Sequence, residues 1–427
     1  MESFDNIRAV SDQFGTPFYL FHPDKFLNNF EEIRAAFVQR YKHLAIGYSY
    51  KTNYLPYLCN LVRQNNGYAE VVSRLEYDLA MKIQHDPHKI IFNGPLKNYD
   101  DIETALHNRS LVNLDSWYEI DHVARYGQEN PDREIKVGLR VNIDLSDSCG
   151  KSHVQAGLRS GRFGFEVGPE GICAAIRNLG KIPKVRIVGL HGHCSSSTRA
   201  LWVYKRITET LADLATEFLR ESLEYIDVGG GFFGRVPPEM SLPDTPGFDD
   251  YAETICDALN AHRWIREKQP LLIIEPGIAV TADCMSFITR VMDVKKLAGT
   301  NYLIVDGSIF NTKPSMHKHN MPFTFYRSME HLNTAVYKVG GYTCMEKDIL
   351  LNDIKTNEVN AGDYLKIDNV GAYTIVLSPP FINSAPPILL KDVNGYSAVR
   401  RRQSFEDFFR GYSFEQPASE KRVMTLS

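Results

Sequence analysis

Between residues 44 and 275 the chain alternates between short β-prone runs and stretches that mostly have helical spacing, and this alternation constrains the fold more than any other feature. The runs read "LAIGYSY" (44–50), "AEVV" (69–72), "KIIFN" (89–93), "SLVNLD" (110–115), "KVGLRVNI" (136–143), "VRIVGLHGH" (185–193), "EYIDV" (224–228) and "LLIIE" (271–275). The stretch "ALWVYKRITETLADLATEFLRE" (200–221) places apolar residues at i, i+3 and i+4, which predicts an amphipathic helix. Strands alternating with helices in this way predict a (β/α)8 barrel of the TIM type, with its active site at the C-terminal strand ends. An open doubly wound sheet is the alternative that the pattern leaves standing.

After residue 280 the texture changes. "SFITRVMDVKKL", "NYLIVDGS", "YKVGGYTCMEKDILL" and "DYLKIDNVGAYTIVLS" are β-rich with turn residues between them, and they predict a separate β domain. The opening "FGTPFYLFHP" (14–23) is also strand-like and is expected to join it. The expected organisation is therefore a barrel over 27–280 and a sandwich- or barrel-like β domain built from 1–26 and 281–427. The last dozen residues, "QPASEKRVMTLS", read as frayed.

A chain of 427 residues has room for both units. With 43% hydrophobic residues, 23% charged residues and a net charge of −4, it reads as soluble, with no electrostatic reason to bind nucleic acid or an anionic membrane. The start "MESFDNIRAV" lacks the basic and apolar regions of a secretory signal, and no apolar run approaches the roughly 20 residues that span a bilayer. The seven cysteines are scattered and never in C-x-x-C spacing. Reduced thiols in a cytoplasm are expected, rather than a disulfide framework or a zinc site.

Read together, the strand ends carry chemistry. Lys51 follows the first run, Glu70 lies in the second, Arg140 in the fifth, and His193 ends the sixth; Gly229, Gly230 and Gly231 follow the seventh, and Glu275 ends the eighth. In a barrel these groups converge on one mouth. A lysine ending a buried strand either snorkels to water or is held there as a reactive amine. "IDVGGGFFG" (226–234) is either a plain tight turn or a loop whose N–H groups approach a phosphate. It lacks the spacing of an ATP loop or a dinucleotide fingerprint. Glu275 in "IIEPG" is either an ion-paired structural acid or a carboxylate bonded to a protonated pyridine nitrogen. In "LHGHCSSST" (190–198), His193 could equally be a satisfied core histidine, and Ser196 or Ser197 a helix cap. A zinc pair at His191 and His193 is disfavoured, because residues i and i+2 of a strand face opposite ways.

The whole chain resembles, in order, the fold-type III pyridoxal-phosphate decarboxylases, the group of ornithine and diaminopimelate decarboxylases with an alanine-racemase-like barrel. "FGTPFYLF" resembles that family's opening strand and "YSYKTN" its Y-x-x-K-[AT]-N motif. "GLHGHCSSS" resembles H-x-H-x-G-S, "IDVGGGFFG" the glycine loop, and "EPG" the E-P-G-R segment. "CMEKD" resembles C-x-x-x-D, "GAYT" the G-A-Y segment, and "RRRQSFEDFF" the R-R-R-E-T-x-E-D tail. The resemblance implies pyridoxal 5'-phosphate as cofactor, with Lys51 forming the Schiff base, Glu275 bonding the pyridinium nitrogen and His193 stacking on the ring. It places Gly229 to Gly231, Gly277, Ser196 and Tyr373 around the phosphate. It implies that Cys344, from the partner subunit of a head-to-tail homodimer, returns a proton to Cα after CO2 leaves. A thiol with a pKa of about 8.5 suits that role; on its own residues, Cys344 reads as a small buried hydrophobe.

The departures cluster at the substrate end. Ile278 stands where the family has arginine after E-P-G, Ser195 replaces the glycine before the phosphate-contacting serine, and Met345 replaces the acid after the cysteine. Lys313 and His317 in "KPSMH" align with the arginine and tyrosine of R-P-x-x-Y. Lysine is only a point-charge substitute for a bidentate arginine. Lys313, His317, Glu346 and Asp348 are the expected substrate contacts, and "SMHKHN" (315–320) reads as a pocket-rim loop rather than a metal site. The expected activity is decarboxylation of an unusual amino acid or amino-acid adduct of specialised metabolism, such as siderophore biosynthesis, rather than of diaminopimelate or ornithine. Racemisation and a non-catalytic regulatory role are the alternatives. Cys344 in "GGYTCMEKD" favours decarboxylation, and Lys51, Glu275 and Cys344 together speak against loss of catalysis.

Overall fold

The computed structural model describes residues 3–146, 151–154, 161–196, 198–240, 245–317, 319–329, 332–392 and 395–413. The tail expected to fray lies outside them. The first ten strands are β1 (Phe18–Phe21), β2 (Leu44–Ser49), β3 (Tyr68–Val71), β4 (Ile90–Phe92), β5 (Leu111–Leu114), β6 (Ile135–Asn142), β7 (Phe165–Glu166), β8 (Val185–His191), β9 (Tyr225–Asp227) and β10 (Leu271–Ile274). Parallel pairing runs β2-β3-β4-β5-β6-β8-β9-β10, and β10 closes on β2. The sheet is a closed barrel, so the open-sheet alternative is excluded. All eight runs read from the sequence form its staves, while β7 is a two-residue spur on β6.

The staves read as apolar runs because each is covered by helices outside and by its neighbours inside. In the helix Pro23–Val38, Phe26, Phe30, Ile33 and Phe37 are buried along one face. The helix expected over 200–221 is Leu201–Phe218, burying Val203, Ile207, Leu211 and Ala215. Inside the barrel, Tyr225 crosses the lumen over two glycines. A Cβ at Gly138 would stand 2.0 Å from its hydroxyl, and one at Gly189 would stand 2.1 Å from its ring.

The remaining strands are β11 (Met285–Leu297), β12 (Thr300–Val305), β13 (Phe323–Tyr326), β14 (Thr334–Gly340), β15 (Ile349–Asn357), β16 (Tyr364–Ile367), β17 (Ile388–Asp392) and β18 (Gly395–Arg400). They form a second, mixed sheet with the path β15-β14-β12-β11-β1-β17-β18; β16 pairs with both β11 and β13. The N-terminal β1 sits in its middle, antiparallel to β11 and parallel to β17. A helix absent from the sequence reading, Phe4–Phe14, is capped by the Ser3 side chain. Its Ile7 and Val10 pack on Phe18, Leu20, Ile288 and Leu389. The β domain meets the barrel mouth directly: Asn53 Nδ2 donates to the Gly371 carbonyl at 2.8 Å, and the Tyr373 amide donates to the Thr52 carbonyl at 2.9 Å.

Candidate active site

β2 stops at Ser49, and Tyr50–Thr52 forms one 3-10 turn, so Lys51 stands just above the strand end rather than on it. Its Nζ donates to Glu70 Oε2 at 2.6 Å and to Ser49 Oγ at 2.7 Å. The Ser49 hydroxyl donates to the same Glu70 oxygen. Burial pulls the amine's pKa down, but the Glu70 and Glu275 carboxylates outweigh it and the net direction is upward. Without a carbonyl to react with, Lys51 is an ammonium whose nearest proton acceptor is Glu70.

Glu275 directly follows β10 and is buried. Its Oε1 accepts from Asn93 Nδ2 at 2.6 Å, and its Oε2 lies 3.5 Å from His191 Nε2. The same Asn93 nitrogen reaches Glu70 Oε1 at 3.1 Å. Asn93 Oδ1 accepts from Asn113 at 2.9 Å, and Asn113 Oδ1 accepts from the Tyr225 hydroxyl at 2.6 Å. A chain of neutral donors thus runs through the lumen and ends on the two carboxylates. Asp227, at the end of β9, is also fully buried, and its Oδ1 accepts from the Gly229 amide at 2.9 Å. Burial alone would raise Glu275, yet the neighbouring His191 and Lys51 hold it well below the usual carboxylate range. Asp227 goes the other way, pushed well up by burial and by the adjacent Glu275.

Above this floor, Gly229 and Gly231 adopt φ of +71° and +89°. A Cβ at Gly230 would stand 1.9 Å from the Glu275 carbonyl oxygen, and one at Gly277 would stand 2.1 Å from Thr52 Oγ1. Only glycine fits these positions, and the result is a concave run of backbone beside Lys51. His193 lies two residues beyond the end of β8 rather than on it. Its Nδ1 accepts from the Gly230 amide at 3.2 Å, which puts the ring proton on Nε2. Burial and the nearby Arg140 push its pKa down to about 3, so the ring is neutral. Arg140 Nη2 donates to the His193 carbonyl at 3.1 Å and Nη1 to Asp115 at 3.4 Å, while its buried Nε has no partner. The Ser196 hydroxyl accepts from the Arg199 amide at 2.8 Å. Tyr373, at φ +53°, is exposed beside the lysine turn.

The structure therefore brings Lys51, Glu70, Arg140, His193, Gly229 to Gly231, Glu275, Gly277 and Tyr373 to one mouth. Ser196 lies on the barrel loop after β8, and the remaining expected residues sit on the β domain. Cys344 and Glu346 are exposed on the loop between β14 and β15. Asp348, expected to contact substrate, is instead buried, with its oxygens accepting from the Ile309 amide at 2.7 Å and the Thr343 amide at 3.0 Å. It latches the Cys344 loop to the short helix Ile309–Thr312, because a buried carboxylate must have its lone pairs satisfied. Lys313 is buried, donates to the His319 carbonyl at 3.3 Å, and is pushed down to about 8 by burial. His317 is half-buried, with its ring 6.2 Å from that of His319; residue 318 of this loop lies outside the described residues. The sequence reading missed Ser49, Asn93, Asn113 and Asp227. Asp227 had a visible signal as an acid within the apolar run "EYIDV", and Asn93 and Asn113 as polar residues in "KIIFN" and "SLVNLD".

These features suit pyridoxal phosphate. An amine stands over a buried anionic carboxylate, a backbone concavity closed to any side chain lies beside it, and a guanidinium keeps one buried donor unpaired. Together with the closed parallel barrel they define a pyridoxal-phosphate enzyme of the barrel type. A family model described as pyridoxal-dependent decarboxylase, pyridoxal binding domain, matches residues 27–282, and the chain belongs to that family. The diaminopimelate decarboxylase of Methanothermobacter thermautotrophicus is 27% identical over 424 residues, covering 94% of this chain and 92% of its own. That of Helicobacter pylori strain J99 is 26% identical over 411 residues, covering 95% and 97%. The crystal structure of the Helicobacter pylori diaminopimelate decarboxylase complexed with L-lysine superposes with a TM-score of 0.81 at 25% identity, covering 98% of this chain and all of that one. The protein is a pyridoxal-phosphate-dependent amino-acid decarboxylase. The expectation of a substrate outside the diaminopimelate and ornithine class finds no support in these relatives.

Proposed function

We propose that the chain decarboxylates diaminopimelate, or an α-amino acid that likewise carries a second polar end, with Lys51 as the cofactor-linking amine. The observation that carries this reading is the Lys51 Nζ held 2.6 Å from Glu70, above the buried Glu275 and beside the 229–231 concavity. Bound pyridoxal phosphate supplies the sink for the electron pair left on Cα when CO2 departs. Glu275, kept anionic, holds the proton on the pyridine nitrogen that makes that sink effective. His193, held neutral, would pack against the ring without adding charge. The amides of Gly229 to Gly231, with Gly277, Ser196 and Tyr373, would hold the phosphate, and Arg140 offers its unpaired Nε at the same mouth. Glu70 accepts the proton that Lys51 must lose before its lone pair can react. Cys344 of a partner subunit gives Cα the proton that replaces the carboxylate and recovers one from water.

Ile278, half-buried at the mouth, favours a second reading. With no guanidinium there, a distal carboxylate has Lys313 as its one expected cation, and a substrate with a less acidic distal end becomes competitive. The test is CO2 release from meso-diaminopimelate, ornithine, lysine, arginine and citrate-type amino-acid adducts, with Lys51→Ala as the blank. Release from diaminopimelate well above the others supports the first reading, and preference for a monocarboxylate or an adduct supports the second. No release from any of them, with the cofactor bound through Lys51, overturns both.

A further inference from the structure

Asp227 has no part in the assignments above, yet it occupies the junction between the two ends of the cofactor site. It is fully buried, and the donor atoms of His191, Asp227 and Glu275 all lie within 4.8 Å of one another. One of its oxygens accepts from the Gly229 amide at 2.9 Å, at the start of the phosphate concavity. The other, Oδ2, is buried with no hydrogen-bond partner, and an oxygen of this carboxylate lies within 4.8 Å of one of Glu275. Two buried carboxylates at this separation cannot both stay ionised without a large repulsion. Glu275 has the better claim on the charge, because Asn93 donates to it at 2.6 Å and His191 and Lys51 stand close, whereas Asp227 has a single backbone donor.

We infer that Asp227 is a positioning residue that acts as a neutral acid: its carboxyl O–H donates to Glu275 while its other oxygen fixes the Gly229 amide, so one side chain sets the ring-nitrogen carboxylate and the phosphate loop relative to each other. The inference rests on the assignment of Glu275 to the pyridine nitrogen and of residues 229–231 to the phosphate. It separates two substitutions that look alike on a surface. Asparagine reproduces a neutral acid here, offering N–H to Glu275 and C=O to Gly229. Leucine offers neither. Had Asp227 been the anion, balanced by a protonated His191, asparagine would fail as leucine does.

The experiment compares wild type, Asp227→Asn, Asp227→Leu and Glu275→Gln as full-length proteins. Three quantities are read: the pyridoxal-phosphate dissociation constant of the apo form by quenching of protein fluorescence, the visible absorption of the bound cofactor, and the melting temperature of the apo form as a check on folding. Asp227→Asn is expected to bind within about threefold of wild type with an unchanged band, and Asp227→Leu at least about tenfold more weakly with the altered band that Glu275→Gln gives. Should the leucine variant not fold, Asp227→Ser, too short to reach Glu275, takes its place with the same expectation. Wild-type affinity and band in a folded leucine or serine variant would overturn the inference, as would an asparagine variant no better than leucine. If Glu275→Gln itself leaves both quantities untouched, the Glu275 assignment falls and the inference falls with it. If Glu275→Gln alters them and Asp227→Leu does not, only the role of Asp227 falls.

Discussion

The surroundings of Lys51 pull its amine in two directions. Burial favours the free amine that attacks an aldehyde, while Glu70 at 2.6 Å favours the ammonium and wins. Glu70→Gln removes the winning contribution, so the pH at which the cofactor can be trapped on Lys51 by borohydride should fall by about one to two units. An unchanged midpoint in the mass-spectrometric yield of trapped Lys51 would show that Glu70 does not hold this proton. His193 supplies an acid-side counterpart. Its folded pKa of about 3 lies below the ordinary value of about 6.5, so the unfolded chain binds the extra proton first. The stability tied to a neutral His193 is complete above about pH 6.5 and drains away as pH falls toward 3. His193→Asn keeps an acceptor for the Gly230 amide and cannot titrate. Its urea midpoint should therefore drop less than that of wild type between pH 7 and pH 5, and equal drops would contradict the burial argument.

At the scale of elements, what was legible follows from how each segment is buried. A barrel stave covered on both faces is an apolar run with no alternative reading, and β2, β6, β8 and β10 were visible for that reason. The helix Phe4–Phe14 carries an amphipathic period in Phe4, Ile7, Val10 and Phe14, but it is short, buries fully only Ile7 and Val10, and lies directly before the strand-like opening that drew the reading. The site divided in the same way. Lys51, Glu275 and the glycines stand at strand ends, where a change of residue type breaks the run. Asn93 ends "KIIFN" directly after β4 and Asn113 interrupts β5, but nothing local says that each one's partners come from other strands. Asp348 shows the same limit, since "CMEKD" does not say that the backbone amides of Ile309 and Thr343 occupy its carboxylate. Asp348→Ala should release the 341–348 loop from that helix at a cost of about 1–3 kcal/mol locally. Turnover should then fall while the absorption of the bound cofactor stays as in wild type, because the barrel mouth is untouched. A changed cofactor band, or unchanged turnover, would show that this latch does not serve the Cys344 loop.

At the scale of the whole molecule, the chemistry is divided between two sheets joined by the chain's own ends. β1 threads the middle of the second sheet, so the β domain cannot form from residues after 280 alone, and segments at 53 and 371–373 dock it on the lysine turn. Yet Cys344 is exposed, and no described contact ties it to the Lys51 of its own chain. For Cys344 to serve as the proton donor proposed above, a second copy must present its barrel mouth there, and a two-fold arrangement would then place each cysteine in the partner's site. Mixing two inactive variants decides this. In a dimer of Lys51→Ala with Cys344→Ala, one site carries both substitutions and the other carries neither. Random reassociation of equal amounts should restore about one quarter of wild-type activity, since half of the dimers are mixed and each has one intact site. If Cys344 served its own barrel, every site in the mixture would lack one group and no activity would return. Sedimentation of the same mixture separates that outcome from failure to exchange subunits, because tagged and untagged chains must co-sediment when mixed dimers form.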